Sequence, residues 1–263
     1  MNVVRPNKTK RLLAAGKAAI GAVLASPAPE LVEVAAVAGF DFVTFDAEHE
    51  PLDDSQLVHL IRAAEAFDVT PIVRVPKDAD RLLRLLDAGA QGIHVPRCST
   101  VAHMRELVEC ARFYPDGQRT FYRLGRGGNF SFGLTDDEWS RQANAELLVV
   151  AMIEEASALQ QLEPMLGVPG VDAIHVGPKD LWQSMGMPPK AEVDKAIQQI
   201  ATAVHASGKT LSMQHAAIED LEPQIARHKV LGVTMTSIPL IPFLLKEGAA
   251  LEKKMRAATT KGA

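Results

Sequence analysis

The chain has 263 residues, 47% hydrophobic and 23% charged, an ordinary globular balance whose length suits one large α/β domain. A net charge of −4 argues against the basic face that nucleic-acid binding requires. No apolar run is long enough to span a membrane, the first ten residues lack an apolar signal core, and two cysteines make no disulfide framework, so the expected compartment is the cytoplasm.

Short apolar runs alternate with longer amphipathic ones. From the N-terminus, the pattern predicts a strand over 18–24 and a helix over 29–38, then a strand over 42–46 and a helix over 54–66. Strands follow at 70–75, 92–95, 147–153 and 172–176, with helices at 79–88, 100–111, 156–165 and 191–206 after them. The last two units are a strand at 210–213 with a helix at 218–227, and a strand at 232–235 with a helix at 240–257. Continuous apolar strands joined through helices imply a parallel sheet buried on both faces. Eight such units predict a (β/α)8 TIM barrel, with residues 1–263 forming one domain. An open doubly wound sheet would need a G-x-G-x-x-G after the first strand, and none stands there.

Residues 113–145 interrupt the beat between the fourth helix and the fifth strand. Connections of that length are functional or disordered, so a surface excursion, a lid and a subunit contact all fit. A short helix is expected over 136–144. Cys98 and Cys110 read as small core residues.

In a barrel, residues at the carboxyl ends of the strands share one mouth. The second strand runs from Phe42-Val43-Thr44-Phe45 straight into Asp46-Ala47-Glu48-His49. The third carries Arg74 inside Ile72-Val73-Arg74-Val75. A guanidinium there must face an anion or a polar cavity, either in a structural ion pair or placed to hold a carbonyl or enolate oxygen. Glu154 and Asp180 follow the fifth and sixth strands; two neighbouring carboxylates need a proton or a cation between them, and hard oxygen ligands favour Mg²⁺ or Mn²⁺. Spacing alone also fits plain surface acids. Gly177-Pro178-Lys179-Asp180 reads as a βα turn whose helix start would suit a carboxylate. His49 fits a metal ligand, a general base or a loop residue, with Asp46 or Glu48 to orient it. His94 and His175 read as barrel-core histidines; His59, His103, His205 and His228 fall on expected helices and read as solvated; His215 has no assigned role. Lys179 is the nearest candidate for a Schiff-base lysine.

Five stretches taken in order, FVTFDAEH (42–49), PIVRVP (71–76), LDAGAQGIHVP (86–96), 153–159 and GVDAIHVGPKDLWQSMG (170–186), resemble the HpcH/HpaI aldolase family of metal-dependent class II pyruvate aldolases. The resemblance spans about residues 10 to 250. It implies a TIM barrel of the phosphoenolpyruvate/pyruvate-binding type whose last helix is exchanged with a neighbouring subunit, in a homohexamer built as a trimer of dimers. It implies Mg²⁺, Mn²⁺ or Co²⁺ held by Glu154 and Asp180, and an oxo-acid carboxylate held by backbone N–H groups of Lys179 and Asp180. Arg74 then stabilises the pyruvate enolate, and His49 is the base, acting through a metal-bound water with Asp46 in its network. The implied activity is reversible retro-aldol cleavage of a 4-hydroxy-2-oxo acid to pyruvate and an aldehyde. An oxaloacetate-type decarboxylase on the same site, or a non-catalytic oxo-acid-binding protein, are the alternatives. The chain departs from the family pattern at Met152, where many relatives carry Gln, across 119–130, and at Thr234–Ser237, which lacks an Asp often seen there. These departures touch the aldehyde end more than the enolate chemistry. Arg123 or Arg126 would either meet an acidic aldehyde or belong to a solvated loop.

Overall fold

Each apolar run pairs with the next in chain order, and the eighth returns to the first, closing a parallel barrel. In this computed structural model, which describes residues 4–76, 78–215 and 218–259, the strands are β1 (Ala19–Leu24), β2 (Phe42–Asp46), β3 (Thr70–Arg74), β4 (Gly92–Val95), β5 (Leu148–Ile153), β6 (Ala173–Val176), β7 (Thr210–Gln214) and β8 (Met235–Pro239). Closure sets Ala19 opposite Met235 and Val23 opposite Pro239. The helices are α1 (Lys8–Ala14), α2 (Pro29–Val37), α3 (Asp54–Ala66), α4 (Ala79–Asp87), α5 (Val101–Ala111), α6 (Asp136–Glu146), α7 (Leu162–Leu166), α8 (Pro178–Ser184), α9 (Lys190–Ala206), α10 (Leu221–Leu231) and α11 (Leu240–Thr259). The polar N-terminal decapeptide enters the described residues only at Val4. Among the described residues no helix is long and apolar enough to cross a membrane.

Local chemistry starts the helices where the sequence says it should. Asp53 and Gln56 form a reciprocal capping box at α3, as do Thr135 and Glu138 at α6. Thr100 caps α5, and Asp78 caps α4. The barrel interior is layered. Ala19, Phe42, Ile72, Leu148, Ala173 and Met235 fill the lower half. A Cβ on Gly21 would lie 2.3 Å from the Phe42 ring, so only glycine leaves room for that side chain. Above them the lining turns polar: Thr44, His94, His175 and Ser212 are buried there, and Arg74 and Gln214 lie higher still. The polar gradient inside the barrel points to the carboxyl ends of the strands.

Four expectations shift. β8 lies over Met235–Pro239 instead of 232–235, because α10 runs on to Leu231 and Gly232 caps it in the left-handed region at φ 70°. The helix expected over 156–165 splits into a 3-10 turn, Ala156–Gln160, and α7, because Pro164 cannot continue a helix begun at 156. Helix α1 was not expected. Capped by Asn7, it closes the amino end of the barrel, where Thr9 hydrogen-bonds Thr70. His228 is buried on α10, not solvated, and its ring stacks on His215 at 4.1 Å.

The segment between α5 and β5 joins the end of a helix to the start of a strand. It therefore lies at the amino end of the barrel, opposite Glu154 and Asp180. Helix α6 is present there, a little longer than expected. Arg123 is buried and donates to Asp136 and to the Leu134 carbonyl, while Arg126 is held by Glu65. Neither arginine faces the mouth, so neither meets an aldehyde within this chain, and the segment is no lid over its own site. Cys98 is buried and Cys110 half-buried.

Candidate active site

Strands β2, β3, β5 and β6 bring Asp46, Arg74, Glu154 and the Gly177 turn to one end of the barrel. The register sets Asp46 opposite Arg74 and Arg74 opposite His94. Arg74 Nε donates to Asp46 Oδ1 at 2.9 Å, and Nη2 donates to Asp46 Oδ2 at 2.5 Å, a two-point fork that locks the guanidinium plane. Burial pushes the Asp46 carboxyl up, but the Arg74 hydrogen bonds and charge, with the backbone N–H groups of His49 and Glu48, hold it below the usual carboxylate range. Arg74 is raised: burial opposes its charge, and Asp46, Glu48 and Glu154 outweigh the burial. Both sequence alternatives for Arg74 are thus compatible. The ion pair exists, and it leaves Nη1 as the donor that Asp46 does not use.

Asp46 does not orient the His49 ring; it accepts from the His49 main chain at 3.3 Å. The ring partner is Glu48, whose Oε2 lies 3.4 Å from His49 Nε2 and 3.8 Å from Arg74 Nε. The reason is geometric. Alternating strand positions send Asp46 inward against Arg74, and the chain past the strand end turns Glu48 and His49 toward the rim. The His49 side chain is 63% exposed.

Glu154 is 5% exposed and accepts a 2.8 Å hydrogen bond from the Arg97 main chain. Sequence reasoning missed Arg97. Its φ of 55° turns the amide toward Glu154, and its side chain reaches to 4.0 Å from Glu48. The only signal was its place just past the end of β4. Burial first, then the charges of Asp180 and Glu48, push the Glu154 carboxyl up to about 7, although the Arg97 amide and Arg74 pull it down. A Cβ on Gly177 would lie 2.7 Å from Glu154 Oε2 and 2.5 Å from Met152 Cε, so glycine is what lets the α8 turn approach the carboxylate. Gly177 precedes α8, with Pro178 in its first turn and Lys179 and Asp180 following. First-turn N–H groups have no partner within their helix. Lys179 and Asp180 are exposed at the rim.

The donor set suits a hard divalent cation. Two carboxylates at the mouth, one raised to about 7 by burial and then by its acidic neighbours, are the charge balance that a cation would relieve. Among the described residues no group of three or more His, Cys, Asp or Glu side chains is arranged to hold a metal. Two carboxylates alone would leave most of such a cation's coordination positions open.

His94 and His175 lie beneath Arg74 with ring centroids 4.5 Å apart, and His175 Nδ1 meets Ser212 Oγ at 3.0 Å. Burial and nearby positive charge hold His175 down at about 3, and burial with the His215 ring holds His228 at about 4. These folded values lie below the unfolded value, so the rings contribute stability that is full above about pH 6.5 and is lost as pH falls below it. Glu154 acts in the opposite sense with one proton, and the histidines outnumber it. Urea unfolding of the metal-free protein should therefore show stability falling by at least about 1.4 kcal/mol per pH unit below pH 6. A flat profile from pH 7 to 5 would mean that the rings are accessible in the folded state.

The family model for HpcH/HpaI aldolase/citrate lyase matches residues 20–239. Over 217 residues the chain is 32% identical to the 2-keto-3-deoxy-L-rhamnonate aldolase of Salmonella gallinarum, covering 80% of this chain and 79% of that one. Among solved structures it is similar to the HpcH/HpaI aldolase from Desulfitobacterium hafniense DCB-2, with TM-score 0.85 and 27% identity over 97% of this chain and 98% of the other. It is also similar to the citrate synthase SbnG, with TM-score 0.81 and 32% identity over 95% of this chain and 98% of that one.

Proposed function

This chain belongs to the HpcH/HpaI aldolase/citrate lyase family, and from that premise we propose that it is a carbon–carbon lyase cleaving a 4-hydroxy-2-oxo acid to pyruvate, or a close analogue, and an aldehyde. The observation that carries the reading is the forked Arg74–Asp46 pair set beside the buried Glu154 at the carboxyl end of the barrel.

A divalent cation held by Glu154 and Asp180, Mg²⁺ or Mn²⁺, supplies Lewis acidity toward the 2-oxo and carboxylate oxygens of the substrate. The backbone N–H groups of Lys179 and Asp180 bind the carboxylate. His49, steadied by Glu48, takes the C4 hydroxyl proton. The C3–C4 bond then breaks, the aldehyde leaves, and the electron pair moves onto C3, C2 and the 2-oxygen as an enolate. Arg74 opposes that charge from a position Asp46 has already fixed, so little reorganisation is needed. Protonation at C3 gives pyruvate. No Schiff base is needed, and the exposed Lys179 is left as a backbone donor only.

The rhamnonate aldolase relative acts on a sugar-derived oxo acid, which makes polyhydroxylated 2-oxo acids the first substrates to try. A homo-oligomer is part of the same reading, supported by the exposed Leu245, Leu251 and Met255 on α11.

The test is pyruvate release across 4-hydroxy-2-oxo acids with short, acidic and sugar-derived tails, before and after chelation. We expect release with Mg²⁺ or Mn²⁺, loss in excess EDTA, and recovery on metal addition. Full activity after verified metal removal would overturn the metal assignment. Oxaloacetate decarboxylation with no aldol cleavage of any substrate would overturn the aldolase assignment.

A further inference from the structure

A cavity of about 700 Å³ lies at the amino end of the barrel, away from the mouth. Its floor is Ala90, Gln91 and Leu147, which lead into β4 and β5. Its walls carry Arg5, Arg62, Arg119 and Arg126 against Glu65 and Glu146. Leu86, Phe130 and Trp139 give it an apolar side.

The acids present are already engaged. Glu65, only 4% exposed in its side chain, is shared by Arg126 and Arg5, the latter at 3.4 Å. Glu146 is taken by Arg11 at 3.0 Å and by the Asn7 amide. Asp87, just behind the wall, is taken by Arg119 at 2.5 Å. Arg62 has no ion pair among the described residues. Burial, and then the like charges of Arg5 and Arg62, lower Arg126 below its usual value. The wall is also short of acceptors. Arg119 Nε and Trp139 Nε1 are buried with no hydrogen-bond partner among the described residues. One edge of the cavity is built under strain: Asn129, Phe130 and Ser131 are consecutive non-glycine residues in the left-handed region, at φ 49°, 53° and 62°. Such strain persists only where the surroundings enforce it, and it is concentrated at ligand clamps.

We propose that this cavity is a second binding site, separate from the catalytic mouth, for a small organic anion bearing at least two negative charges. The charged end meets Arg62 and Arg126, and the body of the ligand lies against the exposed Phe130, beside the buried Trp139. The shared chemistry fits a phosphate ester or a dicarboxylate. The cavity has room for a body larger than a bare inorganic ion, and such an ion can report on the arginines.

Trp139 supplies the readout. The chain has two tryptophans, so Trp182→Phe leaves Trp139 as the sole indole. The metal-loaded Trp182→Phe protein is titrated with inorganic phosphate and, separately, with succinate, each against KCl at matched ionic strength. The expected result is a saturable change in Trp139 emission with one or both anions and none with KCl. Tighter phosphate binding points to a phosphorylated ligand, and tighter succinate binding to a dicarboxylate. Arg62 is exposed and unpaired, so Arg62→Glu should fold normally, keep pyruvate release unchanged at saturating substrate, and weaken the anion by about tenfold. No saturable Trp139 response to either anion, or an equal affinity in Arg62→Glu, would overturn the proposal.

Discussion

Arg74→Ala should lower turnover by at least about 10²-fold, the size of effect seen when a preorganised donor to a developing oxyanion is lost. The same change also strands Asp46, a 6% exposed carboxylate whose two oxygens rest on that guanidinium. Removing one member of a buried pair costs roughly 3–5 kcal/mol of stability, so a loss of activity alone would not separate catalysis from folding. The double variant Arg74→Ala/Asp46→Asn does separate them. With no unpaired carboxylate left, its stability should return most of the way to that of the parent protein, while turnover stays at the level of Arg74→Ala. Recovery of turnover together with stability would show that Arg74 is a structural ion and that the enolate is stabilised elsewhere. Arg74→Lys keeps the charge and loses the fork, so it should keep more stability than activity.

Glu154→Gln should abolish metal-dependent pyruvate release, with a fall of about 10³-fold or more expected for loss of a metal ligand and its Lewis acid together. The stability change has the opposite sign. The Glu154 carboxyl titrates at about 7 in the folded protein, above its value in the unfolded chain. The ionised form is therefore disfavoured by folding: the cost is absent below about pH 4.5, grows as pH rises toward 7, and is complete above it. In metal-free protein at pH 8, Glu154→Gln should gain stability on the order of 3 kcal/mol, by removing a buried charge that faces Asp180 and Glu48. The gain should vanish at pH 4.5, and Mg²⁺ should raise the melting temperature of the parent protein and not of the variant. Gln keeps the oxygen that the Arg97 amide uses, so the local backbone should hold. Equal responses of parent and variant to Mg²⁺ would remove Glu154 from the metal site.

The two variants act on adjacent parts of one electrostatic unit. Arg74 is held positive by Asp46 and raised by Glu154, while Glu154 is lowered by Arg74 and raised by Asp180. Effects at such close, coupled groups do not add. Arg74→Ala should therefore also shift the pH at which Mg²⁺ binding strengthens, because it removes one of the two groups that favour the Glu154 anion.

What the sequence settled by itself was whatever depends on near neighbours in the chain. Apolar runs of four to six residues punctuated by capped helices specify eight βα units, and the caps at Asp53, Thr100 and Thr135 mark three helix starts to within a residue. Strand ends bearing Asp46, Arg74 and Glu154 mark the candidate site, because an α/β barrel collects those ends at one mouth. Where local rules competed, the boundary moved: Gly232 ended a helix later than the apolar pattern suggested, and Pro164 split another.

Tertiary structure alone decided which side chain meets which. Asp46 pairs with Arg74, and not with the His49 ring, because β2 and β3 run in parallel register with those two residues opposed. Glu48 becomes the partner of His49 because the chain past β2 brings its carboxylate to 3.4 Å from the ring. Arg97 contributes through its main chain, which composition cannot foretell. The same holds for the segment between α5 and β5. Its length marks it as unusual, but only the closed barrel places it at the amino end, where its arginines line a second cavity and leave the catalytic mouth untouched. Secondary structure follows from the period of the local pattern, whereas ion pairing and cavity lining follow from register and closure, which bring together residues far apart in the chain.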